Sequence, residues 1–379
     1  MPEYLAISIP FSVHGESARL IWFTAWLSKL CAHRLLNDVK SNEVLINFSQ
    51  TGFLGYARRR CYDLLPNRRY IDGITTLVHS TLKSTKRLRV DVKSLELKHW
   101  LLFQSEAEKE KKGNLNIRLL TLERAEVLVL NSNSESKRII VELRTPKSYV
   151  KLLKTIMEKA WRNEIGYPAR IVIKESNFYP GDVHLYCNLQ VMVPYSVYVE
   201  VMKKHSKPLS NLVGGVDINV DRLNLTIVDR YGRLRDVKTF WFREVTARGY
   251  EKKPAWTKIH QAIHDMLSYA YHHGVSLLAL ESPEIIGYLR YYWVRNGDRG
   301  SRNYNYKVSI FRNRVIEAVS YKASLYAVDV AYVDPKGTTS SKEHDEVMKR
   351  YGLDRHSASA YLIALRGIEK HILTQKDTI

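Results

Sequence analysis

The spacing of apolar and polar residues predicts one strand and two helices near the start of the chain. Residues 3–11 alternate between apolar and polar side chains and are bounded by prolines, which is typical of a strand. In residues 17–36 and 67–88, apolar side chains recur every three or four positions, as they do along one face of a helix. The first 112 residues are therefore expected to form a strand and then a helical region.

The period of apolar residues changes to that of strands between residues 115 and 195. Short runs rich in β-branched residues predict strands at 118–122, 126–130, 138–143, 169–174 and 183–193. A helix at 146–163 is predicted between the third and fourth runs. These elements indicate a small barrel or sheet module. The polar, basic segment 203–211, which contains a proline, has the composition of a linker.

Residues 212–379 carry a third pattern. Three strands are predicted at 213–218, 223–228 and 237–242, and helices then alternate with strands up to a last helix at 357–372. Three antiparallel strands followed by βα units are the order of elements in ribonuclease-H-like domains. The predicted fold class is a multi-domain chain of mixed α+β and α/β type with a ribonuclease-H-like C-terminal domain.

The charge of the chain indicates a polyanionic partner. Its 379 residues include 59 Lys and Arg against 39 Asp and Glu, a net charge of +20. A charge this large most often means nucleic acid, although general solubility is the alternative. Apolar runs stay well below the ~18–20 residues that span a bilayer, and the start lacks a secretory pattern. Cys31, Cys61 and Cys187 are far apart, which argues against a disulfide scaffold or a zinc site.

Two carboxylates end apolar strands of the C-terminal region. Asp217 follows Gly214-Gly-Val, and Glu281 ends the run that begins at Val275. A carboxylate after so apolar a strand is expected to be partly buried, which is costly unless it is paired. Neighbouring strands lie ~4.8 Å apart, so two such carboxylates could share Mg²⁺ or Mn²⁺ and promote phosphodiester hydrolysis. Alternatively, Asp217 begins a turn and Glu281 caps the helix that follows.

A third pair of polar residues precedes the last predicted helix. Asp354 occupies an N-cap position and His356 lies in the first turn, and either could complete a three-ligand metal site. The simpler interpretations are a capping carboxylate and an exposed histidine. The small residues Ala358, Ala360 and Ala364 would let this helix pack closely on the sheet.

Basic and aromatic residues form two candidate nucleic-acid surfaces, unless they are ordinary solvated faces and loops. Phosphate groups are bound by Lys and Arg, and unstacked bases by aromatic rings. The first set lies in the helical region: Arg58, Arg59, Arg60, Arg68, Arg69, Lys83, Lys86 and Arg87. The second follows the Glu281 strand: Arg290, Tyr292, Trp293, Arg295, Arg299 and Arg302.

The C-terminal motifs resemble those of the TnpB family, the transposon-encoded, RNA-guided relatives of type V CRISPR effectors. The similar stretches are Gly215-Val-Asp217-Ile, Ala279-Leu-Glu281-Ser, Tyr321-Lys-Ala, Pro335 through Thr339-Ser340, and Asp354-Arg-His-Ser. They extend over about residues 212–372, whereas the N-terminal half is similar only in layout. The resemblance implies a RuvC-like nuclease domain at 212–379.

The same resemblance implies the other modules and the partners. Residues 1–12 and 113–202 would form a β-barrel-like wedge module, interrupted by a helical recognition lobe at 13–112 and joined to the nuclease domain by the linker at 203–211. The partners would be a guide RNA and a target DNA, with no membrane, and the protein would be cytoplasmic and nucleoid-associated. Its activity would be that of a Mg²⁺- or Mn²⁺-dependent DNA endonuclease with Asp217, Glu281 and either Asp354 or His356 as ligands.

The sequence departs from the family pattern at two places. Residues 341–353 fill the gap where the family carries a four-cysteine zinc ribbon, and they contain no cysteine, so no zinc is expected. His356 occupies the position of the family's last catalytic aspartate, and Ala358 replaces an asparagine. These departures leave open a nuclease-dead protein that binds DNA under RNA guidance, for example as a repressor. A DNA-joining transposase is a weaker third possibility.

Overall fold

The structure, a computed structural model, describes residues 4–87, 91–97, 101–133, 135–208, 210–247, 249–282, 294–296, 301–334, 337–338 and 341–376. These residues belong to two units. The N-terminal unit contains Tyr4–Val197 and residues 294–296, and the C-terminal unit contains the described residues from 198 to 282 and from 301 onward. Within the described residues, every helix is too short or too polar to cross a membrane.

The bounds of the elements are as follows. The strands are β1 (Tyr4–His14), β2 (Leu95–Leu97), β3 (Leu102–Ser105), β4 (Ile117–Leu119), β5 (Arg124–Leu130), β6 (Ser136–Glu142), β7 (Ala169–Tyr179), β8 (Asp182–Pro194), β9 (Leu212–Ile218), β10 (Arg222–Val228), β11 (Leu234–Trp241), β12 (Val275–Glu281), β13 (Val294–Asn296) and β14 (Asp329–Val333). The helices are α1 (Gly15–Ser41), α2 (Gln50–Cys61), α3 (Arg68–Arg87), α4 (Val150–Trp161), α5 (Tyr195–Met202), α6 (Lys252–His272), α7 (Ser301–Ala323), α8 (Lys342–Tyr351) and α9 (Arg355–Lys376).

The β-module of the N-terminal unit consists of separate sheets. Strands β1, β8, β7 and β3 form one antiparallel sheet in that order, and β4, β5 and β6 form another. An isolated bridge between Phe11 and Leu143 joins the edge of the first sheet to the end of the second. The described strands thus form sheets, one of the two arrangements that the sequence predicts, and closure into a barrel-like module stays a prediction. The strands predicted at 118–122 and 138–143 overlap β4 and β6 of the structure. A run of β-branched residues predicts a strand but does not specify which sheet that strand joins.

Helices of the N-terminal unit agree with the sequence pattern where that pattern is long. Helices α1 and α3 were both predicted, and α1 buries an apolar stripe that includes Ile21, Leu35 and Val39. Helix α2 was not predicted. It has only twelve residues and buries just Phe53, Ala57 and Cys61, so its apolar period is weak.

The sheet of the C-terminal unit has the strand order β11-β10-β9-β12-β14. Strands β9, β10 and β11 pair antiparallel, β12 lies parallel to β9, and β14 lies parallel to β12. Helix α6 connects β11 to β12, and α7 lies between β12 and β14 in the chain. This agrees with the element order that the sequence predicted up to β14. Helix α8 was not predicted. It lies within residues 341–353, the segment in which the TnpB family carries a zinc ribbon and this chain has no cysteine.

The last helix packs directly on the centre of this sheet. Ala358, Ala360 and Ala364 are fully buried, as their small size predicted. A Cβ atom on Gly215 of β9 would lie 2.0 Å from the carbonyl oxygen of Ala360, so glycine is required at this crossing. The close approach holds the first turn of α9 beside the end of β9.

Candidate functional site

Asp217 and Glu281 lie side by side on two neighbouring strands. The parallel register of β9 and β12 pairs Val216 with Leu280, and the two carboxylates are the next residues along each strand. Paired residues on adjacent strands point to the same face of a sheet. Asp217 is 6% exposed and Glu281 8% exposed, so both charges are largely removed from water. Such burial is stable only when the charges have partners.

The partners of Asp217 are a histidine and an asparagine. His356 Nδ1 lies 3.0 Å from Asp217 Oδ2, and the side-chain amide of Asn219 donates to the same oxygen at 2.8 Å. Asn219 Nδ2 is also 3.1 Å from His356 Nδ1. With its proton on Nδ1, the imidazole donates to Asp217. His356 in α9 and Asn219 just after β9 therefore fix the orientation of this carboxylate.

The partner of Glu281 is Arg312 of α7. The guanidinium Nη2 forms an ion pair with Glu281 Oε2. Burial lowers the pKa of Arg312, and the negative charge of Asp217 opposes that shift, so the guanidinium is influenced by both carboxylates. Neither Arg312 nor Asn219 was predicted as a site residue. Asn219 follows Asp217 at the two-residue spacing of a strand face, which is a usable signal, whereas nothing in the sequence distinguishes Arg312 from other arginines.

Asp354 caps helix α9. Its Oδ1 accepts hydrogen bonds from the backbone N–H groups of His356 and Ser357 at 2.8 and 2.9 Å, and Oδ2 accepts from the Ser357 hydroxyl at 3.1 Å. Burial acts to raise the pKa of this carboxyl, but the hydrogen bonds outweigh it and the pKa is lowered. This geometry agrees with the capping interpretation, and a role of Asp354 as a metal ligand stays a prediction.

Replacing Asp354 is expected to affect stability more than chemistry. Asp354→Ala lowers the free energy of unfolding by about 1 kcal/mol at neutral pH because a cap is lost, whereas Asp354→Asn retains most of it. A lowered folded-state pKa means that the charge stabilises the fold above the ordinary carboxyl pKa of about 3.9 and that this contribution is lost as pH falls through the lowered value. Urea unfolding at pH 7 and pH 3 tests this: the difference in unfolding free energy between wild type and Asp354→Ala narrows in acid. A difference that is unchanged at pH 3 contradicts the assignment.

The donor atoms at the site suit a divalent cation chemically, but the cation would have a competitor. Two carboxylates are ligands that Mg²⁺ and Mn²⁺ prefer, and a neutral imidazole can join them. Across the part of the chain that the structure describes, no three His, Cys, Asp or Glu side chains are grouped closely enough to ligate one ion. Arg312 already neutralises Glu281. Binding of an ion between Asp217 and Glu281 would therefore require the guanidinium to move away.

The residues predicted to contact nucleic acid differ in their surroundings in the structure. Arg58, Arg60 and Arg69 are engaged in ion pairs with Asp72, Asp38 and Glu108. Arg59, Arg68 and Lys83 are exposed. The backbone places Lys86 and Arg87 in α3, Arg295 in β13 and Arg302 in α7, and Arg290, Tyr292, Trp293 and Arg299 lie outside the described residues.

Comparison with known protein families places the chain in one of them. The family described as the SSO2105 N-terminal domain matches residues 4–203, slightly more than half of the chain. A protein of Aeropyrum pernix is 45% identical over 379 residues, which cover 99% of this chain and 100% of that protein. The chain belongs to the SSO2105 family. The family's SSO2105 protein from Saccharolobus solfataricus is 29% identical over 313 residues, which cover 81% of this chain and 79% of that protein.

A comparison with solved structures adds a weak similarity. Thermus thermophilus RuvC, solved with a Holliday junction substrate, aligns with 43% of this chain and 96% of its own at a TM-score of 0.31 and 16% identity. A score this low does not support a shared mechanism. The family match lies in the N-terminal unit of the SSO2105-family chain, so the TnpB resemblance of the C-terminal motifs stays a prediction.

Proposed function

We propose that this SSO2105-family protein binds nucleic acid and that its C-terminal unit is a RuvC-like, ribonuclease-H-like nuclease domain dependent on a divalent metal. The observation that carries the proposal is the placement of Asp217 and Glu281 side by side on two parallel neighbouring strands, each one residue beyond the Val216–Leu280 pair, with His356 against Asp217. Three antiparallel strands followed by parallel β12 and β14 supply the ribonuclease-H order. The net charge of +20 supports a polyanionic substrate.

The residues of the site have distinct roles in this proposal. Asp217 and Glu281 would hold Mg²⁺ or Mn²⁺, which supplies an activated water and stabilises the leaving oxygen of a phosphodiester when bound. His356 and Asn219 hold the Asp217 carboxylate in one orientation through hydrogen bonds to Oδ2. Asp354 positions His356 by capping α9, and Arg312 supplies a positive charge beside the acidic pair.

A guide RNA and a target DNA are the proposed partners, and a nucleoid location follows from them. The support is the resemblance of the Gly215–Asp217, Glu281 and Tyr321-Lys-Ala stretches to TnpB motifs. In such a scheme base pairing reads the sequence, and the protein binds the duplex through its backbone. Arg59, Arg68 and Lys83 are exposed residues of the helical surface and are proposed to contact phosphates.

A second candidate is a nucleic-acid-binding protein that does not cut. The ion pair between Arg312 and Glu281 favours it, because a guanidinium that stays in place neutralises the acidic pair without a metal. The substitution of His356 for an aspartate points in the same direction. Binding would then depend on phosphate contacts alone and weaken steeply with salt.

Cleavage by the purified full chain separates the two candidates. The chain with its co-purified RNA is incubated with single-stranded DNA, duplex DNA and RNA in Mg²⁺ or Mn²⁺, and EDTA is added to matched samples. We expect fragments from a DNA substrate in the metal-containing samples and none after chelation. Salt-sensitive binding without any cleavage would establish the second candidate instead, and RNA sequencing of the co-purified material tests for a guide.

A further inference from the structure

Arg312 occupies a position that bears directly on cation binding. Its guanidinium is paired with Glu281, whose side chain is only 10% exposed, while the Arg312 side chain is 34% exposed. The charge of Asp217 also acts on it. The arginine already neutralises the charge of this buried carboxylate. A metal cation that approached Glu281 would also be repelled by the nearby guanidinium.

A second feature of Arg312 indicates an anionic ligand. The Nε atom is buried and has no hydrogen-bond partner among the residues that the structure describes. A buried N–H donor without an acceptor is costly, and a planar guanidinium can offer Nε and one Nη to two oxygens of a phosphate at once. Movement of the guanidinium away from Glu281 toward a phosphodiester would therefore also satisfy the Nε–H donor.

We propose that Arg312 excludes a divalent cation from Glu281 in the free protein, and that a phosphate group of a bound nucleic-acid strand draws the guanidinium away and thereby opens the site. This inference rests on the proposed function, since it concerns the same acidic pair. The exchange moves one positive group from a carboxylate to a phosphate and leaves Glu281 and Asp217 for the metal. Cation binding and nucleic-acid binding then become coupled, each favouring the other.

The first test is a Mn²⁺ titration of the full chain, followed by electron paramagnetic resonance of free Mn²⁺. Arg312→Gln is expected to raise the affinity for Mn²⁺ at least tenfold over wild type. Arg314→Gln is the matched control, because Arg314 lies two residues further along α7, stacked on the Trp256 ring, and is expected to leave the affinity unchanged. Arg312→Lys keeps the charge and is expected to retain most of the exclusion. If Arg312→Gln unfolds, the effect of an oligonucleotide on the Mn²⁺ affinity of wild type decides the inference, and no effect would overturn it.

The second test adds a single-stranded DNA oligonucleotide, with Asp217→Asn protein plus the same oligonucleotide as the background for Mn²⁺ bound to DNA itself. The oligonucleotide is expected to raise the affinity of wild type for Mn²⁺ and to have little effect on Arg312→Gln. Equal affinities of wild type, Arg312→Gln and Arg312→Lys in folded protein would overturn the inference even if the chain cleaves DNA. Conversely, tight Mn²⁺ binding by Arg312→Gln without cleavage would support the role of Arg312 and reject the nuclease.

Discussion

Asp217→Asn is expected to reduce metal-dependent cleavage by the full chain by more than about a hundredfold, because it removes one of the two carboxylates that would hold the ion. The amide is nearly the same size as the carboxylate and can still accept a hydrogen bond through its oxygen, so the packing at the end of β9 is preserved. Initial rates on a labelled DNA substrate in Mg²⁺ and in Mn²⁺ measure the effect.

A matched control separates loss of the site from a general loss of charge. Asp345→Asn removes one negative charge from α8, where the Asp345 side chain is 73% exposed, and is expected to leave the rate unchanged. Nucleic-acid affinity is expected to persist in Asp217→Asn, since the substitution reduces the repulsion between the protein and phosphate. Cleavage by Asp217→Asn at the wild-type rate would mean that any nuclease activity of the preparation comes from another site or another protein.

The sequence predicted the carboxylates of the site because their surroundings are unusual. Asp217 and Glu281 end strands that are otherwise apolar, and the structure places them side by side, each one residue beyond the Val216–Leu280 pair. The sequence could not predict Arg312, because the chain has 59 Lys and Arg residues. Which of them faces Glu281 depends on how α7 packs on the sheet. Asp354 remained ambiguous from sequence, since capping and metal ligation both favour Asp before a helix.

The same limit explains the basic surface of the helical region. Arg58 and Arg60 were predicted to contact nucleic acid as parts of a charge cluster. In the structure Arg58 pairs with Asp72 of α3 and Arg60 with Asp38 of α1, so much of their charge is neutralised within the fold. A sequence shows the density of charge, but the partner of each charge is determined by helix packing. Long helices such as α1 and α3 were predictable, whereas α8 has only ten residues and fully buries just His344 and Val347, which is too short a stretch to establish a helical period.

Gly215→Ala is expected to destabilise the protein by about 3 kcal/mol, because overpacking of a close backbone crossing cannot be relieved by rotating a side chain. The added Cβ would lie 2.0 Å from the carbonyl oxygen of Ala360 and 2.5 Å from the amide nitrogen of Ala364, both in the backbone of α9. Gly55→Ala is the control. Its Cβ would meet nothing within 4 Å in helix α2, so it is expected to stabilise by up to about 1 kcal/mol through helix propensity.

The Gly215 substitution also connects packing to the site. To accept a Cβ atom, α9 must move away from β9, and that movement carries His356 away from Asp217, which lies two residues beyond Gly215. Urea unfolding measures the loss of stability, and the imidazole nitrogen chemical shifts of His356 in folded Gly215→Ala report whether Nδ1 keeps its hydrogen bond to the carboxylate. Unfolding at the wild-type urea concentration would show that α9 does not pack on β9 as closely as the structure has it, and the contact between His356 and Asp217 would then lose its structural basis.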